Sequence, residues 1–137
     1  MKKRMPVAKI MTANPVSVNL SNDLNDVVEI FEQKKIRHLP VVSGEELIGM
    51  ISKTDIDRIS YIYRFGEEEA SRVFNTTLKL DQVMSKQLDT IQADDQVKDA
   101  AALLAKGEYH ALPVMEGQKL TGIVTSTDVI NYLLEQY

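Results

Sequence analysis

Apolar residues recur at helical and strand spacings, and both patterns occur twice along the chain. Pro15–Val18 alternates apolar and polar side chains, as a half-buried strand does. The apolar residues that follow have the spacing i, i+3, i+4 and i+7, which places them on one face of a helix. They are Leu24, Val27, Val28 and Phe31. Ser21 or Asn22 is predicted to cap this helix.

The second half of the chain repeats this helical spacing. Its apolar residues are Val97, Ala100, Ala101 and Leu104. Asp94 is the predicted cap, and Gly107 is predicted to end the helix. The two helices therefore predict two copies of one structural unit.

Leu39–Asp55 predicts a strand, a tight turn, a second strand and the start of a helix. Gly44, with polar neighbours, supplies the turn between two apolar runs. Ser52, Thr54 and Asp55 are residue types that cap a helix by accepting from its free amides. Such a helix start also attracts anions such as phosphate.

Leu112–Asp128 repeats this stretch with a displacement of 73 residues, the distance from Pro40 to Pro113. So long a period indicates a duplicated globular unit, because solenoid repeats are usually about 20–50 residues. The predicted fold is α/β, with two β-α-β-β-α units that pack through their sheets. Apolar residues line one face of each final helix, namely Ile56, Ile59 and Tyr63 in the first copy and Ile130, Leu133, Leu134 and Tyr137 in the second.

The predicted domain boundaries follow the repeat. Residues 1–63 form the first copy with an N-terminal tail, and residues 80–137 form the second. Residues 64–79 are interpreted as a solvated helix extension and linker, with an interaction segment as the alternative.

Composition excludes several classes of protein. The net charge of −4 argues against generic nucleic-acid binding. The absence of cysteine excludes thiolate nucleophiles and Cys-based zinc sites. No apolar run approaches the ~20 residues of a membrane helix, so a cytoplasmic protein is expected. No metal site, nucleophile or acid–base pair can be named, so no enzyme is expected. The methionines are predicted to fill the core.

The duplicated motifs resemble the cystathionine-β-synthase (CBS) domain. They are the strand–helix–strand–strand–helix order, Leu-Pro-Val, and Gly-(apolar)₂-(Ser/Thr)-x-x-Asp. Two copies in tandem resemble the Bateman module, over residues 9–63 and 82–137. The resemblance implies pseudo-two-fold symmetry and a nucleotide in the cleft between the repeats.

By this resemblance, Asp55 and Asp128 would bind ribose hydroxyls. The expected phosphate contacts are Ser52, Thr54, Thr125, Ser126 and Thr127. The chemistry fits independently, since a carboxylate accepts from vicinal hydroxyls and hydroxyl side chains donate to phosphate. The alternative is that these residues only cap helices.

Basic residues stand three positions before each Leu-Pro-Val proline. The resemblance implies that Arg37 and His110 reach phosphate, and Lys53 adds a further positive charge. The charge of His110 depends on pH. An ordinary surface role is the alternative for all three.

The base is expected against the first strand of each copy. Val16 and Val18 would cover the ring in the first copy. The second copy departs, because Asp89 stands where an apolar residue is common. Glu108 and Glu116 add negative charge near its expected phosphate side, so the first copy is predicted to bind more tightly.

The functional expectation is a stand-alone regulatory module that binds AMP, ADP, ATP or S-adenosylmethionine and signals by conformational change. A homodimer of four repeats and an unidentified regulated protein are the expected partners. Neither nucleic acid nor membrane is expected. The alternative is a ligand-free module for dimerisation or scaffolding.

Overall fold

The computed structural model describes residues 4–64 and 79–137, and for residues 60–64 it describes the backbone only. The predicted connector and the Tyr63 side chain thus fall almost entirely outside the described residues. The strands are β1 (Thr12–Ala13), β2 (His38–Ser43), β3 (Glu46–Ser52), β4 (Ile91–Gln92), β5 (Ala111–Glu116) and β6 (Lys119–Thr125). The α-helices are α1 (Leu24–Gln33), α2 (Lys53–Arg64), α3 (Leu80–Val83), α4 (Val97–Leu104) and α5 (Ser126–Glu135). The predicted mixed α/β repeat is confirmed.

The chain forms two compact units that do not coincide with the sequence repeats. The first unit is Val16–Gln87, and the second unit combines Met1–Pro15 with Leu88–Tyr137. Each repeat begins with a short lead-in segment, which includes the 3-10 helix Val7–Lys9 in one case and α3 in the other. Each lead-in segment thus belongs to the unit that contains the other repeat's sheet.

In the first unit, β2 and β3 form an antiparallel hairpin in which Leu39 lies opposite Ile51. The strand predicted over Pro15–Val18 is wrong in extent, since only Val18 is paired, in a parallel bridge with Val41. Pro15 has no amide hydrogen to contribute to a ladder. The core comprises Val18, Leu24, Val27, Phe31, Leu39, Val41, Ile51, Ile56 and Leu80.

In the second unit, the strand order is β4-β5-β6-β1, with a parallel β4–β5 pair and antiparallel pairs elsewhere. The sequence pattern did not predict β1. This strand is followed by Asn14, which adopts a φ of 50° and donates its amide to the Thr121 carbonyl at 3.1 Å. The core comprises Val7, Ile91, Ala93, Ala100, Leu104, Leu112, Val114 and Val124.

A methionine of each lead-in segment lies over a glycine of the neighbouring strand. A Cβ atom added at Gly49 would lie 2.8 Å from Met84 Cγ. One added at Gly122 would lie 3.0 Å from Met11 Cγ and 3.0 Å from the Thr12 carbonyl oxygen. Such distances are well inside van der Waals contact, so any larger residue at either glycine would require its neighbours to shift.

Both predicted caps of the first helix in each copy are wrong. In the first unit Asp23, not Ser21 or Asn22, is the N-cap, and its side chain accepts from the Asp26 amide at 2.8 Å. In the second unit Gln96 takes this position instead of Asp94. Each helix starts where the third residue after the cap is an aspartate that can accept from the cap amide.

Helix α5 carries an exposed apolar face. Its Tyr132 is buried, whereas the face predicted from the spacing is open to solvent. The exposed residues of this helix are Ile130 at 55%, Leu133 at 40% and Leu134 at 65%, and Tyr137, just beyond its end, is 95% exposed. Within residues 4–64 and 79–137, no helix combines the length and apolar character needed to span a lipid bilayer.

Candidate functional site

The same backbone connection holds the strand-to-helix junction of each unit. In the first unit the Lys53 amide, at the start of α2, donates to the Arg37 carbonyl at 2.8 Å. In the second unit the Ser126 amide donates to the His110 carbonyl at 2.9 Å. The structure therefore brings the predicted basic residue of each copy beside the predicted hydroxyl residues.

In the second unit, Thr125 and Asp128 form a reciprocal cap at the start of α5. The Asp128 amide donates to Thr125 Oγ1 at 3.1 Å, and the Thr125 amide donates to Asp128 Oδ2 at 2.9 Å. Capping is thus a real role of both side chains. Both side chains can still form further hydrogen bonds, because the Thr125 hydroxyl keeps a proton to donate and the Asp128 carboxylate has a second oxygen.

In the first unit, the junction is arranged differently around Asp55. The Asp55 amide donates to Ser52 Oγ at 3.1 Å, whereas its carboxylate lies 3.6 Å from the Arg58 guanidinium. Lys53 Nζ lies 2.7 Å from the Asp57 carboxylate, so Asp57 partly neutralises its charge. Arg37 is exposed, and no ion pair joins it to another described residue.

The remaining predicted contacts differ in how much of their side chains solvent can reach. His110, Thr54 and Thr127 are exposed, and Ser126 is half-buried. Val18 is only 3% exposed and belongs to the core, whereas Val16 is half-buried against that core. Of the two valines, Val16 therefore keeps more surface for contact with a ring.

A tyrosine–aspartate pair lies beside the second junction and was missed in the sequence. The Tyr109 hydroxyl donates a hydrogen bond to the Asp89 carboxylate. This bond, together with partial burial, raises the pKa of Tyr109 to about 12. The counterparts in the first copy are Ile36 and Val16, 73 residues earlier. The replacement of two apolar residues by this polar pair, next to His110, was the sequence signal that could have revealed the contact.

Among the described residues, no three His, Asp or Glu side chains form a group that could hold a metal ion. The arrangement offers hydroxyl donors and carboxylate acceptors at two helix starts, beside one arginine and one histidine. Such a set can bind a sugar and a phosphate.

Comparison with known proteins identifies the family. The family model described as "CBS domain" matches residues 7–61 and 80–135. The chain belongs to the CBS domain family. It is a CBS pair, as the duplicated motifs indicated.

Two relatives that share its sequence are longer proteins. A 33.4 kDa protein of the ribosomal RNA operon of Thermofilum pendens is 33% identical over 93% of this chain and 43% of its own length. A homoserine O-acetyltransferase of Methanocorpusculum labreanum is 32% identical over 89% of the chain, but over only 23% of its own length. The CBS pair thus spans less than half the length of these relatives.

Solved structures match the CBS pair over nearly its whole length. A putative acetoin utilization protein (AcuB) from Vibrio cholerae is 26% identical with a TM-score of 0.78, covering 98% of this chain and 96% of its own. CBSX2 in complex with AMP is also 26% identical with a TM-score of 0.78, over 96% of this chain and 97% of its own. The CBS pair of protein MJ0100, in complex with 5′-methylthioadenosine and S-adenosyl-L-methionine, is 21% identical with a TM-score of 0.80, over 98% of this chain and 100% of its own. That last likeness shows the fold alone.

Proposed function

We propose that this CBS pair is a regulatory module that binds an adenosyl ligand at its strand-to-helix junctions. The observation that carries the proposal is the pattern of hydrogen bonds at the strand-to-helix junctions. This pattern occurs twice and places hydroxyl, carboxylate and basic side chains around a helix start. The AMP complex of CBSX2 supports an adenine nucleotide as the ligand. AMP, ADP, ATP and S-adenosylmethionine are all candidates. A cytoplasmic location, where such metabolites are made and used, is part of the proposal.

The proposed roles follow the chemistry of each side chain. Asp55 and Asp128 accept from ribose hydroxyls, and Arg37 and His110 lie on the phosphate side. The hydroxyl residues contact phosphate, with Lys53 as an added charge; they are Ser52, Thr54, Thr125, Ser126 and Thr127. Val16 and Val18 lie on the side of the base in the first unit.

The first junction is proposed to bind adenine nucleotides more tightly. Arg37 is always charged and exposed, whereas its counterpart His110 is charged only in part of the pH range. Hydrogen bonds to charged groups contribute about 1.5–3 kcal/mol, against about 0.5–1.5 kcal/mol for neutral ones. Because Lys53 is paired with Asp57, it contributes less than Arg37 to the difference in affinity between the two junctions.

Calorimetric titration of each candidate ligand into the wild-type chain tests this proposal. Arg37→Ala should weaken the tighter phase by about tenfold, the effect of one lost hydrogen bond to a charged group. Lys34→Ala is a matched control, because Lys34 is an exposed cation at the end of α1. If none of the four ligands binds, the proposed function is refuted.

Signalling is proposed to run through a second copy of the chain. The exposed residues of α5 have the i, i+3, i+4 spacing of a helix that packs against another helix, and the exposed Tyr137 lies just beyond its end. A homodimer of four repeats would cover it, and an unidentified partner would detect the change on ligand binding. Phe31 is buried in its own core and adds nothing to such an interface.

A ligand-free scaffold is the second candidate function. The same exposed face favours it, because assembly alone would account for this face. A dimer that binds none of the four ligands would support this alternative.

A further inference from the structure

The Asp89–Tyr109 pair makes the second junction chemically different from the first. In the first unit the corresponding Val16 and Ile36 are half-buried and pack against the apolar core. In the second unit Tyr109 packs against the core with its ring, and its hydroxyl holds the exposed Asp89 carboxylate. One copy thus presents an apolar surface where the other presents an oriented anion.

A short series of contacts connects this carboxylate to the junction. Tyr109 precedes His110, and the His110 carbonyl accepts from the Ser126 amide at 2.9 Å and from Ser126 Oγ at 3.5 Å. Ser126 in turn follows Thr125, which forms the reciprocal helix cap with Asp128. A nucleotide held by its ribose and phosphate at this helix start would therefore have its base within reach of the Asp89 side of the unit.

We infer that Asp89, positioned by Tyr109, makes the second junction select a guanine-type base over adenine. The inference rests on the proposed function, since it needs a nucleotide at this junction. The first junction, where Val16 and Ile36 stand, has no such acceptor and contacts the ring by its apolar face.

The hydrogen-bonding edges of the bases decide the preference. Guanine offers a ring N–H and a neighbouring amino group, two adjacent donors that match the two oxygens of one carboxylate. Adenine offers one amino group beside a ring nitrogen acceptor, whose lone pair would face a carboxylate oxygen. The carboxylate can therefore accept two hydrogen bonds from guanine but only one from adenine.

The test measures base preference at the second junction alone. In an Arg37→Ala/Asp55→Ala background, which disables the first junction, GMP, IMP and AMP are titrated separately by calorimetry. GMP should bind more tightly than AMP by about tenfold or more, the effect of one hydrogen bond to a charged group. IMP, with the ring N–H but no amino group, should fall between them.

Variants at the pair make the test specific. Asp89→Val, which introduces the first copy's residue, should abolish the preference. Asp89→Asn should reverse it, because an amide can accept from the adenine amino group and donate to the ring nitrogen. Tyr109→Phe should reduce the GMP to AMP ratio, since it removes only the bond that orients the carboxylate. A purely structural role of Tyr109 would weaken both nucleotides equally. Urea unfolding verifies that each variant is folded.

Two outcomes overturn the inference while leaving the proposed function intact. One is AMP binding as tightly as GMP in the disabled-first-junction background. The other is an unchanged GMP to AMP ratio in Asp89→Val. If no nucleotide binds the wild-type chain, the proposed function fails, and this inference fails with it.

Discussion

Asp128→Ala should separate the two roles that the structure gives this side chain. The substitution removes the acceptor of the Thr125 amide, a bond of 2.9 Å at the start of α5. Loss of such a capping interaction costs about 1 kcal/mol of unfolding free energy. For a chain of this size that corresponds to a fall in Tm of about 3 °C. If the carboxylate also binds ribose, ligand affinity at the second junction should fall by about 1–3 kcal/mol.

Asp55→Ala is the matched variant in the first unit. It removes a carboxylate that lies 3.6 Å from Arg58, in a pair whose side chains are 38% and 67% exposed. Exposed ion pairs contribute about 0–1 kcal/mol, so this variant should lose less stability than Asp128→Ala. Its effect on ligand affinity at the first junction should nevertheless be as large.

The measurements are urea unfolding followed by circular dichroism, and calorimetric titration of AMP and of GMP. Asp128→Asn serves as control, because its amide oxygen can still accept from the Thr125 amide while the negative charge is gone. It should keep most of the stability and bind ligand less well than the wild-type chain. If Asp128→Ala lowers stability but leaves every affinity unchanged, the side chain is a helix cap and nothing more.

Three further predictions concern packing, protonation and assembly. Gly49→Ala should destabilise the first unit by about 1–3 kcal/mol through overpacking, and adding Met84→Ala should recover part of this loss in urea unfolding. A neutral single variant would contradict the close contact. The stability that Tyr109 contributes should be complete below its ordinary pKa of 10.0 and be lost as the pH rises through about 12. In an ultraviolet titration, Asp89→Val should return this pKa towards 10.0, and an unchanged titration would exclude the hydrogen bond as its cause. Leu134→Asp should shift the chain to monomer in sedimentation, and an unaffected dimer would place the interface elsewhere.

The hairpin and the helix start of each copy could be predicted because their signals are local. Leu-Pro-Val, the turn glycine and the hydroxyl–aspartate cluster each act within a few residues. The observed strands β2 and β3, and β5 and β6, follow this order. The helix caps were misplaced by one or two residues, since several neighbouring polar residues can cap equally well until the reciprocal acceptor is considered.

The features that escaped prediction depend on contacts between distant segments. Spacing alone could not indicate that Met84 covers Gly49, 35 positions away in the chain. Nor could it indicate that Tyr109 forms a hydrogen bond with Asp89. In the sequence, Asp89 suggested only an unfavourable charge near a base. A residue that departs from the pattern of its copy needs its partner in space before its role can be understood.

Because each lead-in segment lies in the unit of the other repeat, the duplicated gene has a reason to stay joined in one reading frame. A gene that encoded a single repeat would produce a chain whose opening segment completes some other repeat rather than its own. Fusing two repeats in one reading frame supplies both segments at equal dose and high local concentration. Cutting the chain between residues 64 and 79 would leave two fragments, each carrying the piece that the other lacks. Joining the repeats in one polypeptide is therefore what makes each of them whole.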